Sequence, residues 1–201
     1  MTDYFLLLNE PRRPWLDPGL LKQKFLALSA TVHPDKIHSA NESEKQDVSK
    51  KFAELNAAYN CLVLPKSRLL HLLELERGSK PGDVQQIPPA LADLFAQVAT
   101  ICRDVDRFLA EKANTASPLL QVQLFERGQQ WIDQLHGLQK KLGGFHDELL
   151  AGIKSLDAQW MSDDPHHRAA LLDDLENFYR LFSYFNRWNN QIQERVVQLS
   201  I

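Results

Sequence analysis

The sequence predicts an all-α fold: an N-terminal antiparallel helical hairpin with short flanking helices, then a C-terminal bundle of about three long helices. Three observations carry this. Apolar residues recur at four-three spacing in one stretch after another, which is the helical period and not the strand period. Proline opens several of these stretches, twice after aspartate and once after serine, the pattern of an N-cap followed by a first helical residue. One segment, "GSKPGDVQQIPP" at 78–89, interrupts the periodicity with Gly, Pro and polar residues and reads as a linker. The boundaries are therefore 1–77 for the first module, 78–88 for the linker and 89–201 for the bundle.

Residues 3–8 form a short apolar helix closing one end of the hairpin. Asp17 is an N-cap, Pro18 fits the first helical position, and Leu16 and Leu21 stand where a hydrophobic staple would place them. Leu21, Phe25, Leu28 and Val32 make the stripe of this helix. It should end near His33, because the residue before a proline disfavours the α region. A second helix over 42–63 carries Val48, Phe52, Leu55, Tyr59 and Leu62. Two matching stripes joined by a short polar loop predict an antiparallel pair. Pro65 opens a further helix, to about Glu76, with Leu69, Leu70, Leu72, Leu73 and Leu75 all round it. A helix apolar on every side is buried on every side, here between the hairpin and the second module.

In the bundle, residues 89–112 carry Leu91, Phe95, Val98, Cys102, Val105 and Leu109, flanked by Leu94, Ile101 and Phe108. After Ser117-Pro118 come Leu124, Trp131, Leu135, Leu138 and Leu142, then Phe145, Leu149, Ile153, Leu156 and Trp160 nearly in phase. Gly143-Gly144 between them predicts one long helix kinked there, with a helix–turn–helix as the alternative. Asp164-Pro165 starts the last helix, whose core stripe is Leu171, Leu175, Phe178, Phe182, Phe185, Ile192, Val196 and Leu199. Leu181, Tyr184 and Trp188 form a second stripe, read either as packing against a third helix or as a binding face. Sustained stripes on three helices predict the bundle.

Composition narrows the function. The 201 residues are 44% hydrophobic and 24% charged, with a net charge of -3 that argues against nucleic-acid binding. Residues 1–80 carry 12 Lys/Arg against 10 Asp/Glu, and residues 81–201 carry 11 against 16, an asymmetry that suits two modules with different partners. Cys61 and Cys102 have no metal spacing and read as buried thiols. No apolar run reaches transmembrane length, and "YFLLL" is too short for a signal-peptide core. A cytoplasmic protein with no membrane partner is expected. His166-His167 read as exposed residues of a helix's first turn.

The sharpest motif is "ATVHPDKIHS" at 30–39, with His33-Pro34-Asp35-Lys36 on the loop between the first two long helices. As a plain turn, Pro and Asp are ordinary there. A metal site from His33, Asp35 and His38 lacks any pre-arranged helical spacing. A catalytic His–Asp pair lacks a nucleophile. The position at the tip of a helical hairpin is what singles the motif out.

With "ELNAAYNCLVLPKSRLLHLLEL" following it, the stretch 3–76 resembles the J domain. "DYF" at the start, "HPDK", "NAAY" and "P..R...LLEL" are similar to the HscB family of iron–sulfur co-chaperones, and "YRLFSYFNRWNNQIQERV" at 179–196 is similar to that family's last helix. The resemblance implies a non-enzymatic co-chaperone with no cofactor. It implies that His33, Pro34, Asp35 and Lys36, with Lys22 and Lys24 on the preceding helix, dock on a DnaK-type chaperone and stimulate its ATPase. It implies that the bundle presents an iron–sulfur scaffold protein, with Leu91, Leu94, Phe95, Tyr184 and Trp188 as the client face. Self-association through the bundle is a further partner expectation. The basic face is reduced to Lys22 and Lys24, which point to different sides of a helix. The family's "LxxxLE" pattern reads here as "ALADLFAQVATICRD", without the glutamates. The alternative is a J-domain adaptor whose bundle binds a client unrelated to iron–sulfur assembly.

Overall fold

The computed structural model describes residues 2–32, 42–82, 88–115, 117–160 and 165–200. These form seven α-helices and one 3₁₀ turn, with no strand among the described residues: α1 (Tyr4–Leu7), α2 (Pro18–Thr31), α3 (Glu42–Val63), α4 (Pro65–Arg77), the turn Pro89–Leu91, α5 (Ala92–Ala113), α6 (Pro118–Trp160) and α7 (Pro165–Ser200). Prolines stand first in α2, α4, α6 and α7, where a missing N–H removes a donor that the helix could not satisfy anyway. Asp17 caps α2 through its side chain, which accepts from the Leu20 N–H at 2.9 Å. Gly78 ends α4 in the left-handed region, φ 73°, and donates its N–H back to Glu74 O.

By contact the chain divides into two compact units. The first joins Met1–Gly82 with Ala151–Arg180. It therefore takes in residues 151–180, which the sequence boundaries place with the bundle. The reason lies in long-range pairing. Asp157 on α6 accepts from the Arg13 guanidinium (Nε to Oδ1, 2.9 Å) and from the Trp15 N–H at 3.0 Å. Trp160 donates its indole N–H to Arg12 O at 2.9 Å, and Arg77 on α4 pairs with Glu176 and Asp173 on α7. Ile153, Leu156, Trp160, Leu171 and Leu175 are all buried in this unit.

Helix α4 departs from its expected all-round leucine surface. Leu69, Leu72 and Leu73 are fully buried, each contributing about 1.5–3 kcal/mol of burial, but Leu70 and Leu75 are only half-buried. Arg68 and His71 are buried in their place. Arg68 is tolerated because its Nε donates to Pro14 O at 2.8 Å and its Nη1 to Leu62 O at 2.7 Å. His71 is tolerated because its Nε2 accepts the Tyr4 N–H.

The second unit joins Asp83–Leu150 with Leu181–Ile201. Val98, Cys102, Val105 and Phe108 of α5, Leu135, Leu138 and Leu142 of α6, and Tyr184, Trp188, Ile192 and Leu199 of α7 are its core. Phe108 is buried where the sequence stripe placed Leu109, which is half-buried. On α7 two expectations change places. Phe178 (first unit) and Phe185 are half-buried, whereas Tyr184 and Trp188 are 5% and 2% exposed. One helix packed on two neighbours needs an apolar sector wider than a single stripe. Helix α6 runs unbroken through Gly143-Gly144, so the helix–turn–helix alternative does not hold.

Candidate functional site

The motif residues His33, Pro34, Asp35 and Lys36 lie outside the described residues, as does His38. Their flanks are described. Helix α2 closes at Val32, whose N–H donates to Ser29 O at 3.2 Å, and α3 opens at Glu42. The two helices pack on each other, with the Phe25 and Tyr59 rings stacked at 4.4 Å between centroids; Leu21 of α2 and Leu55, Ala58 and Leu62 of α3 are buried. Residues 33–41 therefore connect two helices packed on each other.

On α2, Lys22 and Lys24 are both exposed, but their surroundings differ. Lys24 is drawn back onto the segment after α1: its Nζ lies 2.7 Å from Glu10 Oε1 and donates to Asn9 O at 3.2 Å. Asn9 holds φ 53°, which turns its carbonyl within reach of that ammonium. Leu20 and Leu26, 60% and 54% exposed, lie on the same helix. Neither apolar residue was singled out from the sequence, because a lone exposed leucine leaves no mark on a periodic stripe.

In the second unit the structure brings the predicted client residues together. The Phe95 ring lies 6.2 Å from that of Trp188, and Tyr184 stacks on Trp188 at 5.6 Å. They do not share one exposure. Leu91, Tyr184 and Trp188 are buried, Leu94 is half-buried, and Phe95 is 41% exposed. Phe95 is thus the presented side chain, with Trp188 and Tyr184 as its support. A groove of about 270 Å³ opens beside it, lined by Phe95, Val98, Ala99, Cys102, Arg103, Asp106, Trp188, Gln191 and Arg195. Arg195 crosses this groove from α7 to α5, donating to Cys102 O at 3.2 Å and to Asp106 Oδ2 at 2.6 Å. Sequence reading missed Arg195, since its partners lie some ninety positions away.

Among the described residues no group of three or more His, Cys, Asp or Glu side chains could hold a metal ion, and no helix is long and apolar enough to cross a membrane.

No protein-family model matches the sequence. The co-chaperone protein HscB homolog of Shewanella denitrificans is 30% identical over 134 residues, covering 67% of this chain and 68% of that protein. The chain belongs to the HscB family of co-chaperones. The human iron-sulfur cluster co-chaperone protein HscB is 36% identical over 73 residues, 36% of this chain and 31% of that protein. Two solved structures of the HscB family share the all-α fold over essentially the whole chain. The chaperone HscB from Vibrio cholerae gives a TM-score of 0.63 at 20% identity, covering 98% of this chain and 99% of its own. The human HscB structure gives 0.61 at 21% identity, covering 100% of this chain and 83% of its own. Lys22, Leu20, Leu26 and Phe95 are all exposed.

Proposed function

We propose that this chain stimulates the ATPase of a DnaK-type chaperone through His33-Pro34-Asp35-Lys36 and presents an iron–sulfur scaffold protein on the surface around Phe95. Family membership, at 30% identity across two thirds of a named HscB co-chaperone, carries this reading. The human relative, an iron-sulfur cluster co-chaperone, supports the client class. The motif suits the first role because proline restricts the backbone next to Asp35, and a carboxylate can pair with a cationic partner group. The second role draws on a half-exposed aromatic over a well-packed floor, the form that interface anchors take.

Single-turnover ATP hydrolysis by the partner chaperone tests the first role. Asp35→Asn should abolish stimulation while leaving the far-UV circular dichroism unchanged. Full stimulation by that variant would refute it.

A further inference from the structure

We propose that His71 is a proton-sensitive latch on the N-terminal helix: neutral, it holds α1 by accepting the Tyr4 N–H, and protonated it releases it.

The first backbone N–H groups of a helix have no partner inside it. In α1 the Phe5 and Leu6 N–H groups go to Asp3 Oδ1, at 3.0 and 3.2 Å, and the Leu7 N–H goes to Asp3 O at 3.2 Å. The Tyr4 N–H is satisfied from another helix, by His71 Nε2 at 3.1 Å. That bond needs a lone pair on Nε2, so the ring proton sits on Nδ1. Protonation makes both ring nitrogens donors, and two N–H groups would then face each other at the start of α1.

The surroundings make neutral His71 the resting state and still leave it open to titration. The residue is 5% exposed, and its ring stacks on Tyr4 at 4.6 Å and Phe5 at 5.9 Å. Burial pushes its pKa below the ordinary value, the Asp3 and Glu74 carboxylates oppose this, and the Arg12 guanidinium adds to it. Asp3 acts on the ring from the N-cap of α1, Glu74 from its own helix, and Arg12 from the segment after α1, where it pairs with Asp3. From α3 comes Cys61, whose thiol burial and Glu74 push up to about 11, so it stays uncharged. A cavity of about 260 Å³ borders the ring, with Thr2, Ser67 and Glu74 in its wall, and gives solvent a route to it. Helix α1 packs on α3 and seats Phe5 and Leu8, both essentially unexposed, so the latch bears on the hairpin.

The test is an NMR titration of the full chain labelled with 15N. The His71 ring should titrate below pH 6.5, and the Tyr4 amide shift should follow with the same midpoint. Across that midpoint the protection of the Tyr4 amide against exchange should fall by about fivefold or more, the factor one net hydrogen bond carries. His71→Gln offers an amide oxygen that does not titrate, and should keep Tyr4 protected throughout. His71→Phe keeps the ring stack without the acceptor, and should leave Tyr4 unprotected at every pH. Should His71→Phe fail to fold, the wild type and His71→Gln decide between them. Tyr4 protection that ignores the ring's titration, or the same pH dependence in His71→Gln, would overturn the proposal.

Discussion

Arg13 and Asp157, 144 positions apart, form a two-pronged ion pair in which the carboxylate also accepts the Trp15 backbone N–H. Asp157 is 4% exposed, so these hydrogen bonds take the place of water around its carboxylate. Removing Asp157 strands the Trp15 N–H and the Arg13 hydrogen bonds, but Arg13 is 31% exposed and water can take up its charge, so the loss is about 1–3 kcal/mol. Asp157→Ala should lose that much in urea unfolding. Asp157→Asn, which keeps an oxygen for Trp15, should lose less. Equal stability of all three proteins would mean that the pair contributes nothing.

Gly152 on α6 sits directly against the Phe178 ring of α7. A Cβ added there would come within 2.5 Å of Phe178 Cζ. Gly152→Ala should therefore destabilise by about 1–3 kcal/mol despite alanine's better helix propensity. Phe178→Leu in the same chain should recover part of the loss. Additive effects in the double variant would show that the two residues do not press on each other.

Gly143 and Gly144 make the opposite case. Both are exposed within α6, and nothing lies within 4 Å of a Cβ built on either. Gly143→Ala and Gly144→Ala should each raise stability, by up to about 1 kcal/mol. A lower melting temperature in either variant would reveal that the pair is needed for a bend.

Acid should weaken the first unit in two stages. His71 has a folded pKa below its unfolded value of 6.5, so the unfolded chain binds the proton first. Its contribution is complete above about pH 6.5, declines as pH falls toward the folded value, and is level below that. Burial pushes the carboxyls of Asp3 and Glu176 up, but Arg12 with the Leu6 and Phe5 amides, and Arg77 with Arg180, outweigh it and leave both lowered from 3.8 and 4.5. Their contribution is present above those values and is lost as pH falls through the lower folded ones. Melting temperatures from pH 8 to 3 should show both declines in the wild type and only the second in His71→Gln.

Phe95 and Trp188 should separate binding from folding. Phe95 is 41% exposed, and Phe95→Ala should weaken a bound scaffold protein by about 2 kcal/mol while costing less stability than Trp188→Ala. Trp188 is 2% exposed, and Trp188→Ala should cost about 3–5 kcal/mol of stability. Calorimetric titration beside thermal melts would read both. Unchanged affinity in Phe95→Ala would move the client face elsewhere on the chain.

The sequence alone determined where four of the helices begin. Pro18, Pro65, Pro118 and Pro165 act on their own backbone, and their effect needs no partner. It also determined that the fold is all-α, because a four-three stripe is a property of neighbours along the chain, and it carried the family resemblance through the residues around His33. Tertiary structure decided everything that depends on a distant partner. The stretch of Arg68 and His71 reads from its leucines as apolar all round, and only Pro14, Leu62 and Tyr4 supply the groups that let these two polar side chains be buried in it. Tyr184 and Trp188 could be core or face, and burial made them core while leaving Phe95 at the surface. Asp157 gave no sign of pairing with Arg13, since periodicity records which side of a helix is apolar and carries no address for what will cover it.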